Sequence, residues 1–269
     1  MEIKKILFLP RALADLASVL LKWRVPFSNR WMICRFLFHL KWEKWRGSET
    51  EVMDRLPGGE NFYLPATEDS QFLLKEIWIE EVYKPIFPFS AEPKILDLGG
   101  NVGMALRYIG NQCGLQPGSV AVEADPDNMI RLRKNCSGRN VDLINAVVSD
   151  FTGKGRVAVS EAGFLNRRFE PSDEGQEFDF ISILDLLKQD FDLVKMDIEG
   201  GEWKLFALLL RHPDYLLRSG YWMIEFHEEE HHQGLLQELD NFFERNGYKK
   251  KRIHSVRHYF REEAFGSNK

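Results

Sequence analysis

Cysteine is scarce in this chain: Cys34, Cys113 and Cys136 are the only three in 269 residues, an odd number, widely separated and without metal-ligand spacing. That excludes a disulfide scaffold and a cysteine-built zinc site, and it points to a reducing, cytoplasmic setting. Long apolar runs are also missing, since no stretch reaches the roughly 18 uninterrupted apolar residues that span a bilayer. Near the start, Pro10, Arg11 and Asp15 interrupt the apolar run and no small-residue cleavage site follows, so no signal peptide is expected. Repeats and low-complexity tracts are absent too. A formal net charge of −5 gives no global attraction for nucleic acid.

What is present is unevenly placed. Residues 1–46 hold ten Lys/Arg against three Asp/Glu, and four of the seven tryptophans. Taking that +7 from the total of −5 leaves −12 for the rest. A basic, aromatic segment of this kind can lie on an anionic membrane surface as a peripheral contact, grip an acidic partner, or cap the main domain as an amphipathic helical extension. Helical apolar spacing runs over residues 11–22 and 30–45, broken at Pro26. "GSETEVMDRLPGGENFYLP" reads as turns around one short strand, and residues 68–85 as a helix capped by Asp69 or Ser70 and stopped by Pro85.

From residue 94 the rhythm changes. "KILDLGG", "SVAVEADP", "VDLINAVVSD", "FDLVKMDIEG" and "GYWMIEFH" are short apolar runs, and helical patterns of about ten residues alternate with them. "YKKKRIHS" and "VRHYFREEA" read as a closing strand pair. The pattern predicts an α/β, Rossmann-like domain over 61–269, with a mostly parallel seven-stranded sheet, helices on both faces and a helical extension over 1–60. Residues 151–183 break the alternation as a β-hairpin insertion.

The loop "DLGGNVG", Asp97 to Gly103, sits where the first of these strands turns into a helix. A dinucleotide site wants G-x-G-x-x-G. From Gly99 that register meets Asn101 and Met104, and from Gly100 it meets Val102 and Ala105, so the pattern fails and a nucleotide-dependent oxidoreductase is disfavoured. S-adenosylmethionine makes other demands, for it carries an amine, a carboxylate, a ribose and an adenine but no phosphate. Asp97 can face the amine, while Gly99, Gly100, Asn101 and Gly103 let the backbone approach. Glu123, followed by Ala124, can accept the ribose hydroxyls. Asn145 to Asp150, after the third strand, can edge the adenine.

These blocks resemble those of the FkbM-type methyltransferases, a family with the class I S-adenosylmethionine-dependent fold. "EIWIEEVY" is similar to the family's helix before the first strand, and "LDLGGNVG" to its D-x-G-A-N-x-G loop with Gly100 in place of alanine. "VEADP" resembles its E-P-N-P strand end, "NAVVSD" and "SILDLL" its elements around the insertion, and "VKMDIEGGEW" its K-x-D-x-E-G-x-E block. The resemblance runs from about Glu76 to His227. It implies methyl transfer to a hydroxyl of a sugar, a glycan or a natural-product-like metabolite, with S-adenosylmethionine as cofactor. It does not reach residues 1–60. A non-catalytic relative that keeps the fold as a membrane-docked or assembly partner is the alternative.

In "VKMDIEGGEW", Asp197 and Glu199 are candidate catalytic residues: acids here can hold the acceptor, take its proton or bind a divalent cation. Glu199 and Glu202 can equally charge and cap the following helix, and Glu202 is assigned that role. "HEEEH", His227 to His231, matches the H-E-x-x-H of zinc proteases letter by letter, but that motif needs both histidines on one helical face. His227 instead follows a strand-like run. As a strand-end residue it is a candidate general base, or, with Asp197 and Glu225, a ligand for Mg²⁺.

Overall fold

The computed structural model describes residues 8–21, 26–48, 50–159, 169–172 and 174–262. The chain begins with two helices, α1 (Phe8–Leu20) and α2 (Phe27–Trp45), then a hairpin of β1 (Glu51–Arg55) and β2 (Asn61–Pro65). The one strand expected here is therefore two, paired antiparallel with Val52 opposite Leu64. The expected boundary at 60/61 falls inside this hairpin's turn. Helix α3 (Glu68–Trp78) follows, and its cap is Thr67, whose side chain accepts from Ser70 N–H, rather than Asp69 or Ser70. It stops short of Pro85 because the chain turns through Glu81 in the left-handed region at φ 55°. Val82 and Tyr83 stay buried, but as loop residues.

The alternating part then runs β3 (Ile95–Leu98), α4 (Met104–Cys113), β4 (Ser119–Glu123), α5 (Pro126–Asn135) and β5 (Val141–Asn145). A second set of strands, β6 (Val147–Ser149), β7 (Gly153–Val159), β8 (Phe169–Pro171) and β9 (Gln176–Ser182), forms its own sheet in the order β6-β9-β7-β8. The expected third strand thus divides at Ala146, one part in each sheet. The expected hairpin is β7 with β9, enlarged by β6 and β8; residues 160–168 lie outside the described residues. Next come α6 (Ile183–Leu186), β10 (Leu193–Met196), α7 (Glu202–Arg211), α8 (Pro213–Leu216), β11 (Tyr221–Glu225), α9 (Gln233–Arg245), β12 (Lys249–Ile253) and β13 (Val256–Phe260).

The main sheet has seven strands in the order β12-β13-β11-β10-β3-β4-β5. It is parallel from β11 to β5, and β13 is antiparallel to both its neighbours. Successive residues point to opposite faces, so both faces bury apolar side chains, as parallel sheets do. Ile95, Leu193 and Met223 join one core with α1 to α5; Leu96, Leu98, Val194, Met196, Trp222 and Ile224 join the other with α6 to α9. The two leading helices share the first core with β3, so they are part of one folded body. After β3 the chain builds outward through β4 and β5, then returns to the other side of β3 as β10. The loops after β3 and β10 diverge and leave a crevice at the carboxyl ends of the strands. Among the described residues no helix is long and apolar enough to cross a membrane.

One buried chain of hydrogen bonds fixes the segment that covers this crevice. His258 on β13 is fully buried, with Nδ1 2.7 Å from the Tyr221 hydroxyl and Nε2 3.1 Å from the Val82 carbonyl. The Tyr221 oxygen accepts from Ile86 N–H at 3.1 Å. The set closes with a neutral imidazole that accepts at Nδ1 and donates at Nε2. Burial pushes the His258 pKa down to about 4. A histidine depressed in the fold contributes stability above its unfolded pKa of about 6.5, lost as pH falls towards 4. In urea unfolding the wild type should therefore lose about 3 kcal/mol relative to His258→Gln between pH 6.5 and 4. Parallel stability curves for the two proteins would disprove the assignment.

Candidate functional site

The turn after β3 is shaped by contact with β10. Gly99 has φ 78°, and a Cβ there would lie 1.7 Å from the Asp197 carbonyl oxygen. No side chain fits, and Asp197 N–H closes the join by donating to the Leu98 carbonyl at 3.0 Å. Asn101 is also left-handed at φ 48°, and its Oδ1 accepts from Val102 N–H at 2.7 Å. Its own N–H donates to Glu123 at 2.6 Å, and Asp125 N–H donates to the other Glu123 oxygen at 2.8 Å. Burial pushes Glu123 up to about 7, against those two hydrogen bonds. The Asn145 amide donates to the carbonyls of Glu123 and Ala124 at 2.8 and 3.1 Å and so fixes the end of β4.

Beneath the loop lies a buried charge pair. Lys195 and Asp97 are register partners on β10 and β3, 3% and 1% exposed, with Nζ 3.2 Å from Oδ1. The same ammonium donates to the Gly99 carbonyl at 2.7 Å and lies 3.6 Å from Asp197. Asp97 Oδ1 meets only that ammonium and Oδ2 has no hydrogen-bond partner; both are buried, and burial raises the carboxyl.

Above it opens a cavity of about 260 Å³. Gly99, Gly100, Asn101, Met104 and Ala105 form one wall, and Phe72, Leu73, Glu76 and Ile77 of α3 another. Lys195, Asp197, Glu199, Glu225, His227 and Ser255 complete it, with Tyr83 between them. The Tyr83 hydroxyl is 3.0 Å from both Asp197 Oδ2 and Glu225 Oε2. One hydroxyl hydrogen cannot serve two carboxylates, so the arrangement favours one of them protonated. Burial, then the charge of Asp197, pushes Glu225 up. Burial and the charges of Glu225 and Asp197 raise Glu76 to about 8. Four carboxyls thus face two cationic side chains, Lys195 and His227.

His227 lies between two acids, with Nδ1 3.2 Å from Glu202 and Nε2 3.3 Å from Glu199. Burial alone would lower it, but Glu202, Asp197 and Glu199 outweigh burial and bring it to about 9. Held between two acids, it keeps its proton to higher pH than the strand-end histidine expected as a general base would. Glu199, left-handed at φ 59°, is pushed up to about 7 by burial and by Asp197. Glu202, fully buried at the first residue of α7, accepts from Ile198 and Gly200 N–H at 3.0 and 2.9 Å, so it braces the loop before the helix instead of capping the helix as expected. Donor atoms of Asp197, Glu199 and His227 fall within 4.8 Å of one another, so these three could hold a cation. The expected set had Glu225 in place of Glu199, but Glu225 accepts from Tyr83. His231 does not join: it is 70% exposed, and Glu229 before it is held by Arg257. No zinc-protease helix forms.

Of the residues expected to bind cofactor, Gly99, Gly100 and Asn101 line the cavity. Asp97, Gly103, Glu123, Ala124 and Asn145 are not among its lining residues, and Asp150 pairs with Lys204 at 3.0 Å on the surface. The residues not foreseen are Lys195, Tyr83 and Glu76. Lys195 stands in the "VKMDIEGGEW" block, where a lysine inside an apolar strand was itself a signal. Tyr83 and Glu76 lie in a stretch that reads as an ordinary amphipathic helix.

The sequence pattern of the methyltransferase FkbM domain matches residues 97–250, more than half of the chain. No curated protein sequence matches. Among solved structures, the chain is similar to the methyltransferase FkbM of Methylobacillus flagellatus, at 18% identity and TM-score 0.45, covering 70% of this chain and 52% of that one. It thus spans about half the length of that relative. It is similar also to M. jannaschii TYW2, in complex with AdoMet, at 19% identity and TM-score 0.42, covering 79% and 84%. Aeropyrum pernix fibrillarin, with S-adenosyl-L-methionine bound, follows at 14% and 0.40, covering 78% and 81%. Likenesses this distant carry no inference about substrate or residue roles. The match over residues 97–250, with the loop and acid block both inside it, places the chain in the FkbM methyltransferase domain family.

Proposed function

We propose that the chain transfers a methyl group from S-adenosylmethionine to a hydroxyl of an uncharged, polyhydroxylated acceptor such as a sugar, a glycan or a related metabolite. The observation that carries this reading is the acidic cavity at the divergence of β3 and β10. Its carboxyls complement a cationic sulfonium and ammonium, and they repel phosphorylated or carboxylated acceptors. The residues present suit the cofactor. Each Glu123 oxygen takes one backbone N–H and keeps a lone pair for a ribose hydroxyl, and the Asp97 carboxyl has unused acceptor capacity. Met104, Ala105, Leu73 and Ile77 supply apolar wall. When bound, the cofactor supplies an electrophilic methyl group; the chain's task is to orient the acceptor and take its proton.

Glu199 fits that last role, because a general base works best with a pKa near the working pH. The imidazolium of His227, fixed by Glu202, holds Glu199 in place, and Asp197 with Tyr83 orients the acceptor oxygen. The three donors Asp197, Glu199 and His227 support one further reading, a divalent cation that acidifies the hydroxyl instead.

Calorimetric titration should show S-adenosylmethionine binding to the wild type, weakened at least about tenfold in Glu123→Ala as its ribose contacts are lost. No heat with the wild type would withdraw the enzyme and leave a fold kept for another purpose. With an acceptor in hand, kcat should rise with pH through about 7 as Glu199 loses its proton and fall above about 9 as His227 loses its own. Glu199→Gln should remove the lower limb and cost roughly 100-fold or more. An unchanged pH profile in that variant would place the base elsewhere. EDTA should leave the rate intact if Glu199 acts directly; a loss restored by Mg²⁺ or Mn²⁺ would transfer the role to a cation.

A further inference from the structure

We propose that the outer side of α2 docks on an anionic lipid surface. Phe27, Trp31, Phe38, Trp42 and Trp45 are 66%, 59%, 38%, 39% and 36% exposed. At 100° per residue these five fall within about 60° of arc on the helix. Ile33, Phe36, Leu37 and Leu40, fully buried in the first core, occupy the other side. Single exposed apolar residues need no explanation, but a stripe of large aromatics along a whole helix does. On the neighbouring α1 and just past its end, Leu13 and Leu21 are 56% and 78% exposed.

Charge selects the occupant. Over the described residues 8–21 and 26–46 the helical pair carries six Lys/Arg and two Asp/Glu, whereas the rest of the chain is acidic. Arg46 at the end of the helix is 59% exposed, 3.6 Å from Glu43. Arg30 lies over the Phe27 ring at 5.6 Å and donates to the Leu20 carbonyl, so it fixes the stripe's first aromatic against the end of α1. Trp is the side chain that bilayer interfaces favour. The acidic remainder would be repelled by the same surface, which sets one orientation. The docked face is also joined firmly to the catalytic cleft. Lys44 pairs with Glu68 and Lys75 with Asp15, tying the helical pair to α3, whose Phe72, Leu73 and Glu76 line the cavity.

The test is vesicle sedimentation with the full chain, using phosphatidylglycerol-rich and pure phosphatidylcholine vesicles. The wild type should bind the anionic vesicles, roughly tenfold or more weakly at high salt and on the neutral ones. Phe27→Ser combined with Trp31→Ser should lose at least about tenfold in binding while keeping its melting temperature, since both side chains are exposed. S-adenosylmethionine binding, measured on the same samples, reports separately on the proposed function and should not change. Three results would overturn the proposal: equal binding to both vesicle types, undiminished binding by the double variant, or a lipid-free dimer that the double variant dissolves.

Discussion

The site depends on one buried cation. The Lys195 ammonium sits between Asp97 on β3, Asp197 at the end of β10 and the Gly99 carbonyl. Asp97 is interior to the sheet, so its charge survives only with a partner; breaking such a buried pair by removing one member typically costs about 3–5 kcal/mol. The acids around Lys195 hold it protonated. The pairing follows from register, since residue 195 lies opposite residue 97 and both point to the same face. Two strands that are distant in sequence thus meet with charges matched at the level where their loops part.

That cation does not balance the whole cavity. Glu76, Glu199 and Glu225 are all raised above the ordinary carboxyl range, because each is half-buried or deeper beside its neighbours. Such a surplus is costly to the fold, and groups perturbed in this way cluster at functional sites. The geometry around it is stiff. Gly99 is wedged against Asp197, Glu123 ties the loop's Asn101 N–H to the Asp125 N–H just after β4, and His258 pins the segment that carries Tyr83. The proposed methyl transfer needs an in-line approach, which a stiff site would favour.

The central strands and the loop at 97–103 were legible because their signals are local: apolar runs bounded by glycine, then helical spacing. The acid block was legible for the same reason, and the letter match at His227 to His231 failed on the strand before it. The misses are matters of contact. Tyr83 meets Asp197 and Glu225 across more than a hundred residues, and nothing near Tyr83 announces them. The choice of Glu199 over Glu225 beside His227 rests on one left-handed φ at a non-glycine residue, which spacing does not encode. Thr67 displaced the expected caps because the helix begins at Glu68, two residues before a cap at Asp69 would have started it and three before one at Ser70. Asp150 has the expected place in sequence, but the strand before it divides at Ala146 and delivers it to Lys204.

That division at Ala146 leaves the main sheet with two borders of different character. An open sheet offers two rows of unpaired backbone groups, each a template for another chain. At one border, β5 is only five residues long before the chain leaves for the second sheet. At the other, β12 presents Lys249, Lys250, Lys251 and Arg252, all exposed. The two borders are equally long, so what separates them is charge. A second copy that offered its own β12 would set like-charged rows side by side, so this border disfavours pairing with itself.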